Sequence, residues 1–143
     1  MHLAESILSA FELALTGLST TGTNVARGRA YAVPIFPALS IFKGSDVASD
    51  REDTLDVIVR EMLVNVDIHI QATGNPETAL NAIAAEVFAA VNLDYTLGLN
   101  YVFDCALVGD DEPEIEGSQD LPVARMRTSY LITYEHSKIS AEL

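Results

Sequence analysis

Basic residues are the first thing this chain is short of: eight Lys and Arg stand against 21 Asp and Glu in 143 residues, a formal charge of −13. Gripping nucleic-acid phosphates takes a clustered basic surface, and here the few cations are scattered. Acidity of this size favours solubility and keeps a protein from sticking to DNA it lies beside. Cysteine is nearly absent, with Cys105 alone, which excludes an internal disulfide and fits a reducing compartment. No CxxC or Cys/His cluster has the spacing of a zinc site. No apolar run approaches the roughly 18–20 residues that cross a bilayer, and Met1–Glu5 lacks a basic leader, so a soluble protein without a membrane partner is expected. Phosphate-loop, GxGxxG and GxSxG patterns are missing. The expectation is a protein with no catalytic, cofactor-binding or metal-binding residues.

What is present suffices for one core. Nearly half the residues are apolar, and the length is that of one domain, 1–143, with 137–143 expected as a flexible tail. Residues 3–18 carry Leu3, Ile7, Phe11, Ala14, Leu15 and Leu18 at helical spacing, and Gly17 begins the stop chemistry. A short strand is expected within 25–33 and another within 38–42, after Pro34 and Pro37. Lys43–Asp56 is polar and acid-rich and reads as a loop. Met62, Val64, Val66, Ile68 and Ile70 alternate with Leu63, Asn65, Asp67, His69 and Gln71, the pattern of a strand with one buried and one wet face. Upstream, Leu55, Val57 and Val59 fall in the opposite phase, which predicts a bulge or break near Arg60–Glu61. Asn75-Pro76-Glu77 opens a second helix running through Leu80, Ile83, Val87 and Val91. Residues 101–108 are apolar enough for a strand buried on both faces over part of its length. Segment 109–120, with Asp110, Asp111, Glu112, Glu114 and Glu116, reads as an exposed loop. Residues 124–134 alternate again as a long half-buried strand. The sum is an α+β fold, a mostly antiparallel (mixed) sheet with two helices packed on one face.

Such a fold leaves a second sheet face carrying Asn65, Asp67, His69, Arg125 and Arg127, either solvated or used by another subunit. His69, Asp67 and Arg125 converging there are the sole support for a small ferredoxin-like enzyme. His2, His69 and His136 read as satisfied or solvent-facing. Cys105, in an apolar strand without a basic neighbour, reads as an inert thiol. The acidic loop lacks the ligand order of a calcium loop and reads as a solvated charge run.

The order of elements resembles the tail terminator family of long-tailed phages. The resemblance spans about residues 3–136 and rests on the N-terminal helix, the Pro34-Ile-Phe-Pro37 region, the strand at 62–71, the Asn75–Pro76 capped helix, the turn Asp94-Tyr95-Thr96-Leu97-Gly98 and the terminal strand ending Tyr130-Leu-Ile-Thr-Tyr134. Leu99 stands where the family pattern often has a second glycine. Membership implies a homo-hexameric ring that caps the tail tube, meets a head-side connector and lets DNA pass through its lumen. Its place would be the head-proximal end of the tail in the virion, after assembly in the host cytoplasm. A neighbouring neck protein is the alternative in the same class. On the ring reading, Asp110, Asp111, Glu112, Glu114 and Glu116 face the lumen or an interface. Arg125, Arg127, Asp67 and His69 are then candidates for contact between subunits.

Overall fold

Helix α1 covers Leu3–Leu15, starting where His2 stands extended as N-cap and its Nδ1 accepts the Ala4 N–H at 3.0 Å. It stops short of Leu18 because Thr16 turns extended, its N–H bonding the Leu13 carbonyl and its hydroxyl the Glu12 carbonyl. Gly17, at φ 95°, then lets the chain reverse, a conformation side chains resist. The computed structural model describes residues 2–28, 36–48, 57–71, 74–116 and 122–137. Of the tail expected over 137–143, Ser137 is the last residue of a strand and the rest lies outside the described residues, as do 29–33 of the first expected strand.

Among the described residues six strands follow the order of the chain: β1 Val25–Arg27, β2 Ala38–Ala48, β3 Val57–Gln71, β4 Val102–Asp110, β5 Glu114–Glu116 and β6 Val123–Ser137, with helix α2, Pro76–Asn92, between β3 and β4. They form one sheet in the order β1-β2-β3-β6-β4, with β5 also on β6. The β1–β2 pair is parallel and the others are antiparallel, so the sheet is mixed. The fold is α+β, as expected.

The centre is the β3–β6 pair, in unbroken register from Val57 opposite Ser137 to Gln71 opposite Val123. Register is fixed by the alternation, since a one-residue slip would send every apolar side chain to the wrong face. Met62, Val64, Val66, Ile68 and Ile70 of β3 join Met126, Tyr130, Ile132 and Tyr134 of β6 in one core cluster. The same cluster takes Ile7, Phe11 and Leu15 from α1 and Leu80, Ile83, Val87 and Val91 from α2. The Phe11 ring meets Tyr130 with centroids 5.9 Å apart and planes tilted by 57°. Each fully buried side chain of this size contributes about 1.5–3 kcal/mol.

Four expectations change. The polar run from Lys43 begins as strand: β2 continues to Ala48, with its register shifted between Lys43 and Asp46. The irregularity expected in β3 at Arg60–Glu61 is therefore in β2 instead, and β3 is continuous. The phase change marks a switch in which face is apolar, since Val59 is buried on the face opposite Met62. Strand β4 is at a sheet edge and buries only Val102 and Cys105, so it is not a two-sided core strand. The acidic segment is in part strand: β4 runs on to Asp110, and Glu114–Glu116 pairs with β6. Residues 117–120 lie outside the described residues.

Candidate functional site

The sheet register places Asn65, Asp67 and His69 of β3 opposite Ser129, Arg127 and Arg125 of β6. All six lie on the face opposite the core, in adjoining cross-strand pairs. Ser129 Oγ donates to Asn65 Oδ1 at 2.7 Å. Arg127 donates to both Asp67 carboxylate oxygens, through Nε at 2.8 Å and Nη2 at 3.3 Å. His69 Nε2 is 3.2 Å from Ser40 Oγ of β2. The Arg127 guanidinium also lies over Phe42, 4.8 Å from the ring centroid. Its bond to Asp67 strengthens its hold on its proton, with the negative charges of Asp111 and Glu114 adding in the same sense.

This face, expected to be solvated or used by another subunit, is only partly open to solvent. Asn65, Asp67 and Ser40 are buried, while His69, Arg125 and Arg127 are half-buried. Burying a carboxylate is tolerable only when it is paired and hydrogen-bonded, which the two-pronged Arg127 contact supplies. Arg125 finds its acid in the same chain as well, with Nη2 2.6 Å from Glu114 Oε2 of β5. Both guanidiniums thus meet carboxylates without a neighbouring subunit.

From this face the acids continue to the sheet edge. Asp67, Asp111, Glu112, Glu114, Arg125, Met126 and Arg127 line a pocket of about 100 Å³. Asp110, Asp111, Glu112 and Glu114 are exposed. Glu116 is placed by its backbone, opposite Val123. Three irregularities interrupt this edge, between Val102 and Asp104, between Leu107 and Gly109, and at 111–113 between β4 and β5.

Apolar side chains collect on the same edge. Phe103, Leu107 and Val108 of β4, Ile115 of β5 and Phe88 of α2 are five of the nine large exposed apolar side chains among the described residues. Leu107 and Phe88 share a groove of about 300 Å³ with Tyr130 and Ala84. Edge strands with exposed apolar side chains are templates for pairing with another chain.

Asp94, Thr96, Leu97 and Gly98 form a compact turn after α2. Asp94 Oδ1 accepts from the Thr96 N–H at 3.0 Å and from its hydroxyl at 2.7 Å. These bonds, the hydroxyl foremost, hold the Asp94 carboxyl below its usual range. Leu97 is left-handed, at φ 56°, and Gly98 follows at φ 72°. For leucine that conformation costs about 1–2 kcal/mol, so the turn's hydrogen bonds hold it in place.

Two features escaped the sequence. Asp46, in a segment that read as loop, accepts from Tyr134 Oη at 2.8 Å and lies 3.5 Å from Arg60 Nη1. An alternating strand ending in tyrosine gave no sign that its hydroxyl meets an acid beside the bulge of β2. The open apolar flank was also missed, because edge position depends on pairings between distant segments. Burial raises the Cys105 thiol to about 12, with Asp104 contributing, so the thiolate is suppressed as expected.

No family model and no curated protein matches the chain. Among solved structures it is similar to a chain of the "Virion of native gene transfer agent (GTA) particle". The TM-score is 0.49 and the identity 13%, over 80% of this chain and 81% of that one. A likeness at that level assigns neither family nor function.

Proposed function

We propose that this chain is a structural subunit of a phage-type tail, a tail terminator that works by protein contact rather than by catalysis. The observation that carries the reading is the open β4–β5 flank, where apolar Phe103, Leu107, Val108 and Ile115 lie among exposed acids along a sheet edge that no described strand pairs. Apolar anchors inside a charged rim are the anatomy of an assembly interface. Subunits joined head to tail along such a flank close into a ring when the rotation between them divides a full turn. The reading also takes α1 and α2 to cover one sheet face. In the ring, the acids at 110–116 border a lumen that DNA crosses without being held. One end of the ring caps the tail tube and the other meets the head-side connector. The element order and the Asp94–Gly98 turn support the same reading, and no cofactor enters it.

The ring is tested by native mass spectrometry and negative-stain imaging at rising concentration, with and without tube protein. A six-membered ring that arrests tube growth is the expected result. Val108→Lys with Ile115→Lys should abolish that ring while leaving the melting temperature within a few degrees, because both side chains are exposed. A chain that stays monomeric with tube protein present overturns the reading, and binding solely to a portal-side ring would make it a neck protein.

A further inference from the structure

A second apolar surface lies away from the β4–β5 flank, where the ends of the two helices meet. Ala10, Leu13 and Ala14 from the end of α1 face Ala90 and Leu93 from the end of α2 across a groove of about 280 Å³, and Leu97 of the strained turn supplies one wall. Leu13 is 79% exposed and Leu93 is 89% exposed, so the rim is two aliphatic side chains that bury almost nothing in the chain itself. The alanines make the floor shallow and smooth, wide enough for an aliphatic or aromatic side chain.

The electrostatics of the groove have one sign. Neither α1 nor α2 carries a basic residue in its last turn, so the negative ends of both helix dipoles are left without a cation of their own. Asp94 also lines the groove. An apolar floor bordered by two helix C-termini and a carboxylate complements an apolar side chain followed closely by Lys or Arg.

We propose that this groove docks a short apolar-then-basic segment of a different protein. No described segment of a second copy matches that chemistry. Among the described residues, Arg27, Arg60, Arg125 and Arg127 are each already in an ion pair with a carboxylate. Lys43 follows Phe42, whose ring is buried under Arg127. No described stretch therefore offers an exposed apolar anchor next to an unengaged cation. The docking site does not depend on whether the chain closes into a ring.

The test uses the full chain labelled with ¹⁵N and two capped hexapeptides, one with Leu-Phe followed by two arginines, the other with glutamates replacing the arginines. The basic peptide should move the Ala14, Leu97 and Gly98 amides saturably, and the acidic one should bind at least tenfold more weakly. Leu93→Ser should weaken the basic peptide several-fold with the fold intact. Asp94→Asn, which keeps an oxygen acceptor for Thr96, should do the same. Equal binding of the two peptides, no saturable shift at millimolar peptide, or shifts confined to residues 110–116 would each overturn the proposal. So would concentration-dependent broadening of the same amides without peptide, which would seat a second copy there.

Discussion

Asp67 shows how much depends on one side chain when charge is buried. Its side chain is 8% exposed and holds Arg127 by two bonds, and Arg127 in turn roofs Phe42. Asp67→Ala would leave a half-buried guanidinium unpaired. Losing one partner of a fully buried pair costs about 3–5 kcal/mol, and the partial exposure of Arg127 brings the expected loss to about 2–3 kcal/mol in urea unfolding. A loss under about 0.5 kcal/mol would show that water replaces the carboxylate freely. Titration offers a second check at this scale. The folded chain holds the Cys105 proton up to about 12 rather than the ordinary 9.0, and burial raises the Tyr130 and Tyr134 hydroxyls as well. Groups whose folded values are raised stabilise the fold while protonated. Stability should therefore fall as pH rises from about 9 towards 12, and alkylation of Cys105 at pH 8 should be far slower in the native chain than in denaturant. Asp94 runs the other way: its folded value is depressed, so its contribution is complete above 3.8 and is lost as pH falls through the lower folded value. The Thr96 amide should report that change by NMR.

Among the elements, those written in local periodicity were legible and those set by distant pairing were not. Helix α2 announced itself through Asn75, Pro76 and its apolar spacing, and the structure caps it with Asn75 as expected. β3 and β6 were plain from their alternation. β4 looked like a core strand because its composition is apolar, yet a strand's place at an edge is settled by which segments pair beside it. The same limit hid the bulge in β2, where Gly44 occupies the shifted register. A β-carbon there would come within 3.0 Å of Asn65 Nδ2 and 3.2 Å of two Leu63 atoms. Gly44→Val should accordingly destabilise by about 1–3 kcal/mol in thermal or urea unfolding, through overpacking rather than lost contact. The candidate site was legible in its residues but not in its state: Asn65, Asp67, His69, Arg125 and Arg127 were grouped correctly on one face. That the face is internally paired follows from a register no single strand encodes.

At the scale of the whole molecule, the two apolar surfaces, the β4–β5 flank and the helix-end groove, predict separable behaviour. Lysines on the flank should remove self-association and leave the groove's peptide binding unchanged, while Leu93→Ser should do the reverse. If either variant abolishes both, the surfaces act as one and the division fails. The unbroken β3–β6 ladder carries a further consequence, for the order in which the molecule can form. Its partners are separated by a segment of about fifty residues that includes α2, β4 and β5, so this pairing closes a long loop, whereas β2 meets the other edge of β3 across a short connection. Folding dominated by such distant pairings is slow. During synthesis β3 waits, without the strand that completes its ladder, until β6 has left the ribosome. For that interval the edge of β3 that takes β6 stands open, and the net negative charge of the chain works against pairing between copies there.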